Sequence, residues 1–293
     1  MEESVFVPVS DSVQLEARIY NPSTSLAGSP APRGLAIVAH PYGSLGGCFD
    51  DHVVCALAEV LLVKRQFQVV TFNSRGVGQS TGRASWTGAS ESDDYQHVLD
   101  WSMCNFEEQH SSVRGASIVL CGYSAGSLYC STSKAKASGS PSTWSTRPPL
   151  YVLVSYPRGV LWVLSLFQSA RYNKALNNLL VEGQAGVLLV YGTKDDFTSR
   201  KTYESWIGPL QSSQLSVEAI EDADHFWRTR ASLKKLVDCV EGADLPQAAQ
   251  GLSKVEVAEV TALLQLLATV EISLARSLSF FTLAIPSPSI GQA

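Results

Sequence analysis

Between residues 4 and 245 the chain switches repeatedly between strand-like apolar runs and helically spaced segments. SVFVPV and VQLEARIY, joined by the polar SDS, read as an antiparallel hairpin. GLAIVAH (34–40) and FQVVTFN (67–73) are continuous apolar runs, the mark of strands covered on both faces. DHVVCALAEVLLVKR (51–65) has helical spacing, as does SDDYQHVLDWSMCNFEE (92–108), whose acidic start suits the positive end of a helix. ASIVLCGYS (116–124), PLYVLVSYP (149–157), GVLLVYGTKD (186–195) and LSVEAIEDADH (215–225) supply four more strands. Strands alternating with helices predict an α/β fold, a mostly parallel sheet with helices on both faces. The Ser- and Pro-rich KAKASGSPSTWSTRPP (134–149) is expected to be a mobile surface excursion.

The pattern changes after LVDCVEGADLP, which divides the chain into a unit over 1–245 and an apolar helical extension over 246–293. From about Leu252 to Ile285 the residues are mostly apolar, with a narrow polar stripe at Lys254, Thr261, Gln265, Thr269 and Arg276. Glu271 and Arg276 fall near the middle, and each would cost about 2.5–3.5 kcal/mol at a bilayer centre. Membrane spanning is therefore disfavoured. The expected role is a helix that covers the domain or pairs with a second copy, giving a homodimer.

Composition adds limits. A chain of 293 residues, 45% hydrophobic and only 17% charged, is long and apolar enough for a large core. The net charge of −5 and the absence of a Lys/Arg stripe argue against a nucleic-acid partner. The opening MEESVFVPVS is acidic where a secretory signal is basic, so the expected location is cytoplasmic. The six cysteines form no C-x-x-C pair and have no histidines at zinc spacing. They read as reduced, mostly buried thiols, with no metal or cofactor implied.

Candidate chemistry centres on LCGYSAGSLYC (120–130). A G-x-S-x-G pattern arises by chance on the order of 0.1 times in a chain of this length, so its setting matters more than its match. Here it follows a strand and opens a helix, as a nucleophile elbow requires. Side chains at Gly122 or Gly126 would collide with the neighbouring strand and helix. A serine needs a base, and only His225 of the five histidines follows Ser124. The orienting acid should follow the penultimate strand, ahead of the histidine in the chain. Asp195 is preferred over Asp196, while Asp222 and Asp224 read as loop-shaping or exposed. The oxyanion donors expected are the N–H of Ala125 and, since Pro41 has none to offer, that of Tyr42. His40 is expected to brace the same loop.

AHPYGSLGG, FNSRGVGQSTG, GYSAGS, YGTKDD and ADHFW, in this order, resemble the α/β-hydrolase superfamily over roughly residues 4–245. The likeness is nearest to compact, dienelactone-hydrolase-like members with a minimal cap. It implies Ser124, Asp195 and His225 as the catalytic triad and a mainly structural role for the loop carrying Arg75. Residues 158–186 are too few for a full cap, and the tail after about 246 has no counterpart in the compact members. The reading is a serine hydrolase for a carboxylic ester, thioester or lactone, acting through an acyl-enzyme on a small-molecule substrate. Trp162, Phe167, Tyr42 and Trp227 are candidates for an apolar pocket wall. Two rivals keep the fold: a non-hydrolytic lyase or cyclase of specialised metabolism, and a triad-bearing binding protein plugged by its tail.

Overall fold

In the computed structural model the described residues are 2–22, 31–135, 143–166, 168–181, 185–210, 212 and 214–244. Among these residues, eight strands run Glu2–Ser10 (β1), Val13–Tyr20 (β2), Gly34–Ala39 (β3), Gln68–Phe72 (β4), Ser117–Tyr123 (β5), Leu150–Val154 (β6), Gly186–Lys194 (β7) and Leu215–Asp224 (β8). They form one sheet in the order β1-β2-β4-β3-β5-β6-β7-β8. β1 and β2 make the expected antiparallel hairpin, β2 also runs antiparallel to β4, and every remaining neighbour pair is parallel.

The continuous apolar runs become central strands because both faces of the sheet are covered. Along β3, Leu35, Ile37 and Ala39 enter one core while Ala36 and Val38 enter the other. The helices divide accordingly. Ala89–Gln109 (α2), Ala125–Thr132 (α3) and Ser169–Val181 (α5) supply Tyr95, Leu99, Leu128, Tyr172 and Leu176 to the first core. His52–Glu59 (α1) and Arg230–Gly242 (α7) supply Val53, Leu57, Leu236 and Val240 to the second. Asp51 caps α1 by accepting from the Val53 N–H at 2.8 Å. The segment continues as a wider π turn over Val60–Lys64, closed by the Arg65 N–H on the Val60 carbonyl.

The stretch between β6 and β7 holds a short 3₁₀ turn, a four-residue helix at Leu161–Leu164 (α4) and α5, consistent with a minimal cap. A short helix at Arg200–Ile207 (α6) links β7 to β8 and buries Tyr203. No described helix is long and apolar enough to cross a membrane.

Three expectations meet corrections or limits. The excursion at 134–149 is tied down at its described end: Trp144 is buried beside Phe106, donates through Nε1 to Glu107 at 2.5 Å and bridges to Ala116. An indole is too apolar to leave in water, and this one has both a ring partner and an acceptor. All six cysteines are free thiols as expected, but only Cys121 and Cys130 are buried, whereas Cys55 and Cys104 are exposed. Residues 246–293, with the extension, its polar stripe and the homodimer expected through it, lie outside the described residues.

Candidate active site

The site is assembled at the carboxyl ends of β3, β5, β7 and β8, where parallel sheets open a crevice for ligands. β5 ends at Tyr123, and Ser124 follows with φ 52° and ψ −120° before α3 begins at Ala125. A non-glycine residue at positive φ is held there only by its surroundings. The Ser124 N–H donates to the Val154 carbonyl at 2.8 Å. The two flanking glycines permit the turn. A Cβ on Gly122 would lie 2.2 Å from the Gly126 carbonyl oxygen, and one on Gly126 would lie 2.6 Å from the carbonyl oxygens of both Ala39 and His40. Backbone therefore packs directly on backbone at both positions, and the end of β3 presses against the start of α3.

Register brings the other two side chains alongside. Lys194 of β7 pairs with Asp224 of β8 beyond an irregularity after Gly192, so Asp195 and His225 are the next residue on each strand. The Asp195 Oδ2 lies 2.7 Å from His225 Nδ1, and His225 Nε2 lies 2.9 Å from Ser124 Oγ. An ionised carboxylate only accepts, so Nδ1 carries the proton and Nε2 accepts from the serine hydroxyl. The other oxygen of Asp195 accepts from the N–H groups of Phe197 and Thr198 at 2.8 and 2.9 Å. All three residues are buried. Asp196 is exposed. Asp222 pairs with Lys194 and Asp224 with Arg228, away from the imidazole.

Further contacts hold the histidine loop. The hydroxyl of Tyr123, the residue before the serine, donates to the His225 carbonyl at 2.9 Å. Burial raises that phenol far above its ordinary pKa, so it remains a donor. Phe197 stacks obliquely on the imidazole with ring centroids 4.4 Å apart, and Phe226 meets it edge-on. The sequence reading missed these two rings. Their positions beside Asp195 and His225 in the chain were the available signal.

The expected aromatic wall is different in fact. Trp227 has φ 52°, is only 1% exposed, and belongs to the core of the opposite face, donating to Ser155 Oγ at 3.0 Å. The turn after β8 thus buries the indole away from the site and leaves the neighbouring Phe226 beside the imidazole. Tyr42 is half-buried against the first core, Trp162 is largely exposed, and Phe167 lies outside the described residues.

On the β3 side, Ala125 is the first residue of α3, so its N–H is among the first-turn groups without an acceptor inside the helix. The Tyr42 carbonyl accepts from the N–H groups of Leu45 and Gly47, which fixes the orientation of that peptide. His40 braces the loop: its ring contacts the Pro41 carbonyl through Nδ1 at 2.5 Å, and its Nε2 accepts from the Ser74 N–H at 2.9 Å. Burial lowers its pKa to about 4, which keeps it neutral. Arg75 grips the buried Asp94 of α2 through two hydrogen bonds, a structural tie between the loop after β4 and that helix.

Solved structures share the fold that carries this arrangement. The chain is similar to an α/β serine hydrolase homologue from Coxiella burnetii at 22% identity and TM-score 0.60, covering 82% of this chain and 95% of that one. It is also similar to an α/β serine hydrolase without lid from Xanthomonas campestris at 21% identity and TM-score 0.60, covering 82% and 92%. An esterase from Pyrococcus furiosus gives 17% identity and TM-score 0.59 over 82% and 89%. The chain shares the fold of these α/β serine hydrolases. Residues 11–124, from the hairpin turn to the elbow serine, match the model of the X-Pro dipeptidyl-peptidase (S15) family. No curated protein matches the sequence.

Proposed function

We propose that this protein is a serine hydrolase that cleaves a carboxylic ester, thioester or lactone through an acyl-enzyme on Ser124. The observation that carries the reading is the unbroken hydrogen-bonded chain from Ser124 Oγ through His225 to Asp195, mounted on a strained elbow. His225 Nε2 takes the serine proton as Oγ adds to the carbonyl carbon. The charge that develops on the imidazole is balanced by Asp195, which is itself anchored by two backbone N–H groups. The N–H of Ala125 and that of Tyr42 are the donors assigned to the oxyanion. His225 then protonates the departing group, leaving the acyl chain on Ser124. Water then adds to the acyl carbon as Nε2 takes its proton, and the intermediate collapses to the acid as that proton passes to Ser124 Oγ. Phe197 and Phe226 offer an apolar surface beside the imidazole, which suits a substrate with an apolar or aromatic group there.

The test is a series of p-nitrophenyl esters of increasing acyl length, run beside X-Pro p-nitroanilides to separate ester from peptide cleavage. A fluorophosphonate probe with mass analysis identifies the labelled residue. Ser124→Ala is expected to abolish labelling and reduce kcat on the order of 10⁶-fold, because the triad acts as a unit. The residue sits at the elbow rather than in a core cluster, so the substitution leaves the fold intact. Labelling at another residue, or wild-type turnover by Ser124→Ala, would refute the assignment.

A further inference from the structure

At the amino ends of β3, β4 and β5, away from Ser124, is a cavity of about 470 Å³ lined by four cations. Arg33, Lys64, Arg65 and Arg147 line it against a single carboxylate, Glu241. Ser117, the first residue of β5, also lines it, and Ser124 lies just past the other end of that strand. Seven residues of strand separate them by roughly 23 Å. The cavity is thus a separate place from the hydrolytic site. It is also an anomaly of charge, since the whole chain carries −5.

The backbone of Arg33 and Arg147 and the side chain of Arg65 are anchored beside the cavity. The Arg33 N–H donates to the Gln66 carbonyl at 2.9 Å, and its own carbonyl accepts from the Ser117 N–H at 3.1 Å, so its side chain leaves from a fixed point between β4 and β5. Arg65 donates through Nη1 to the last carbonyls of α7, those of Val240 and Glu241 at 3.2 Å and that of Ala243. Arg147 sits on a turn closed by its N–H on Ser145 Oγ at 3.0 Å. Among the described residues, no carboxylate lies within ion-pair distance of Arg33, Lys64 or Arg147. Burial and then the neighbouring Arg33 charge lower the pKa of the Arg65 guanidinium, a sign that these two like charges share one space. Gly115, at φ 70°, adds a wall with open space where a side chain would stand.

Like charges gathered around a concavity repel one another, and an anion entering it relieves that repulsion. Guanidinium forks match phosphate oxygens in pairs, and the Lys64 ammonium supplies a further point charge. We propose that this cavity is a binding site for a small soluble ligand bearing phosphate groups, held by Arg33, Lys64, Arg65 and Arg147 and independent of the hydrolytic site.

The test uses the full chain and inorganic pyrophosphate as probe, with binding measured by calorimetry at low ionic strength. Saturable binding at one site per chain is expected, weakening as salt screens the exposed cations. Arg33→Gln and Arg147→Gln should each weaken it by about tenfold, the loss of one charge-assisted contact. Lys64→Gln serves as a second variant should either arginine change prove unstable by circular dichroism. Arg65 is kept because it also caps α7. Ser124→Ala should bind pyrophosphate as the wild type does, which makes the outcome independent of the hydrolase reading. A parallel arm sediments the protein with phosphatidylcholine vesicles carrying phosphatidylinositol bisphosphate. Absence of pyrophosphate binding, equal binding by the charge variants, or capture by the vesicles alone would overturn the proposal.

Discussion

Replacing Asp195 by Asn exchanges one carboxylate oxygen for an amide NH₂ and should cost far more activity than the same change at Asp196. The native carboxylate accepts three hydrogen bonds: one from His225 Nδ1 at 2.7 Å and two from the N–H groups of Phe197 and Thr198 at 2.8 and 2.9 Å. An amide has only one accepting end. If its oxygen faces His225, its NH₂ group is aimed at two backbone donors in a buried site, and three donors are left without acceptors. If its oxygen faces Phe197 and Thr198, the NH₂ faces Nδ1, which must then accept. The imidazole proton moves to Nε2 and points at Ser124 Oγ, where a base is needed. The second arrangement leaves fewer donors unpaired and should prevail, so the expected result is a folded enzyme with the wrong tautomer. The loss in kcat should be roughly 10⁴-fold, equivalent to about 5 kcal/mol of transition-state stabilisation. Asp196 is exposed, and Asp196→Asn should stay within a few-fold of wild type. Turnover of p-nitrophenyl acetate by the two variants under identical conditions decides the matter. Equal losses, or a larger loss at 196, would refute the tautomer argument and with it the choice of carboxylate.

Other consequences concern stability. His40 has a native pKa of about 4, against 6.5 in an unperturbed histidine, so across that window the unfolded chain binds a proton that the native state does not. Its contribution is intact above about pH 6.5 and is lost as pH falls toward 4, to a total of about 3 kcal/mol. Urea unfolding of wild type and His40→Gln at pH 7.5 and pH 5 should show the smaller decline in the variant; parallel declines would refute this. Gly126→Ala places a methyl group against two carbonyl oxygens and should cost about 1–3 kcal/mol or more. Gly242→Ala, with open space around the added carbon at the end of α7, should be neutral or add up to about 1 kcal/mol. Thermal denaturation of the pair tests both, and the reverse order would contradict the packing described.

Much of the architecture was legible in local pattern. A strand covered on both faces must be apolar at every position, so GLAIVA and QVVTF announced β3 and β4 without knowledge of their neighbours. A serine at φ 52° between packed backbones leaves room for nothing larger than glycine two residues away on either side, which is why Gly122 and Gly126 marked the elbow. His225 stood out by elimination, as the single histidine after the serine. The rest depended on which distant segments meet. Only the β7–β8 register sets the Asp195 carboxylate, and not that of Asp196, against the imidazole 30 residues further on. Only the positive φ at Trp227 sends its indole into the core, and Phe197 and Phe226 are the rings beside the imidazole. The burial of Trp144 likewise needed Phe106 and Glu107 from another element. The cationic cavity gathers residues from 33 to 241 that form no run anywhere in the sequence. Hydrophobic periodicity records whether a side chain is covered. What covers it is decided by register, crossover and backbone turn, which arise only when elements far apart in the chain pack together.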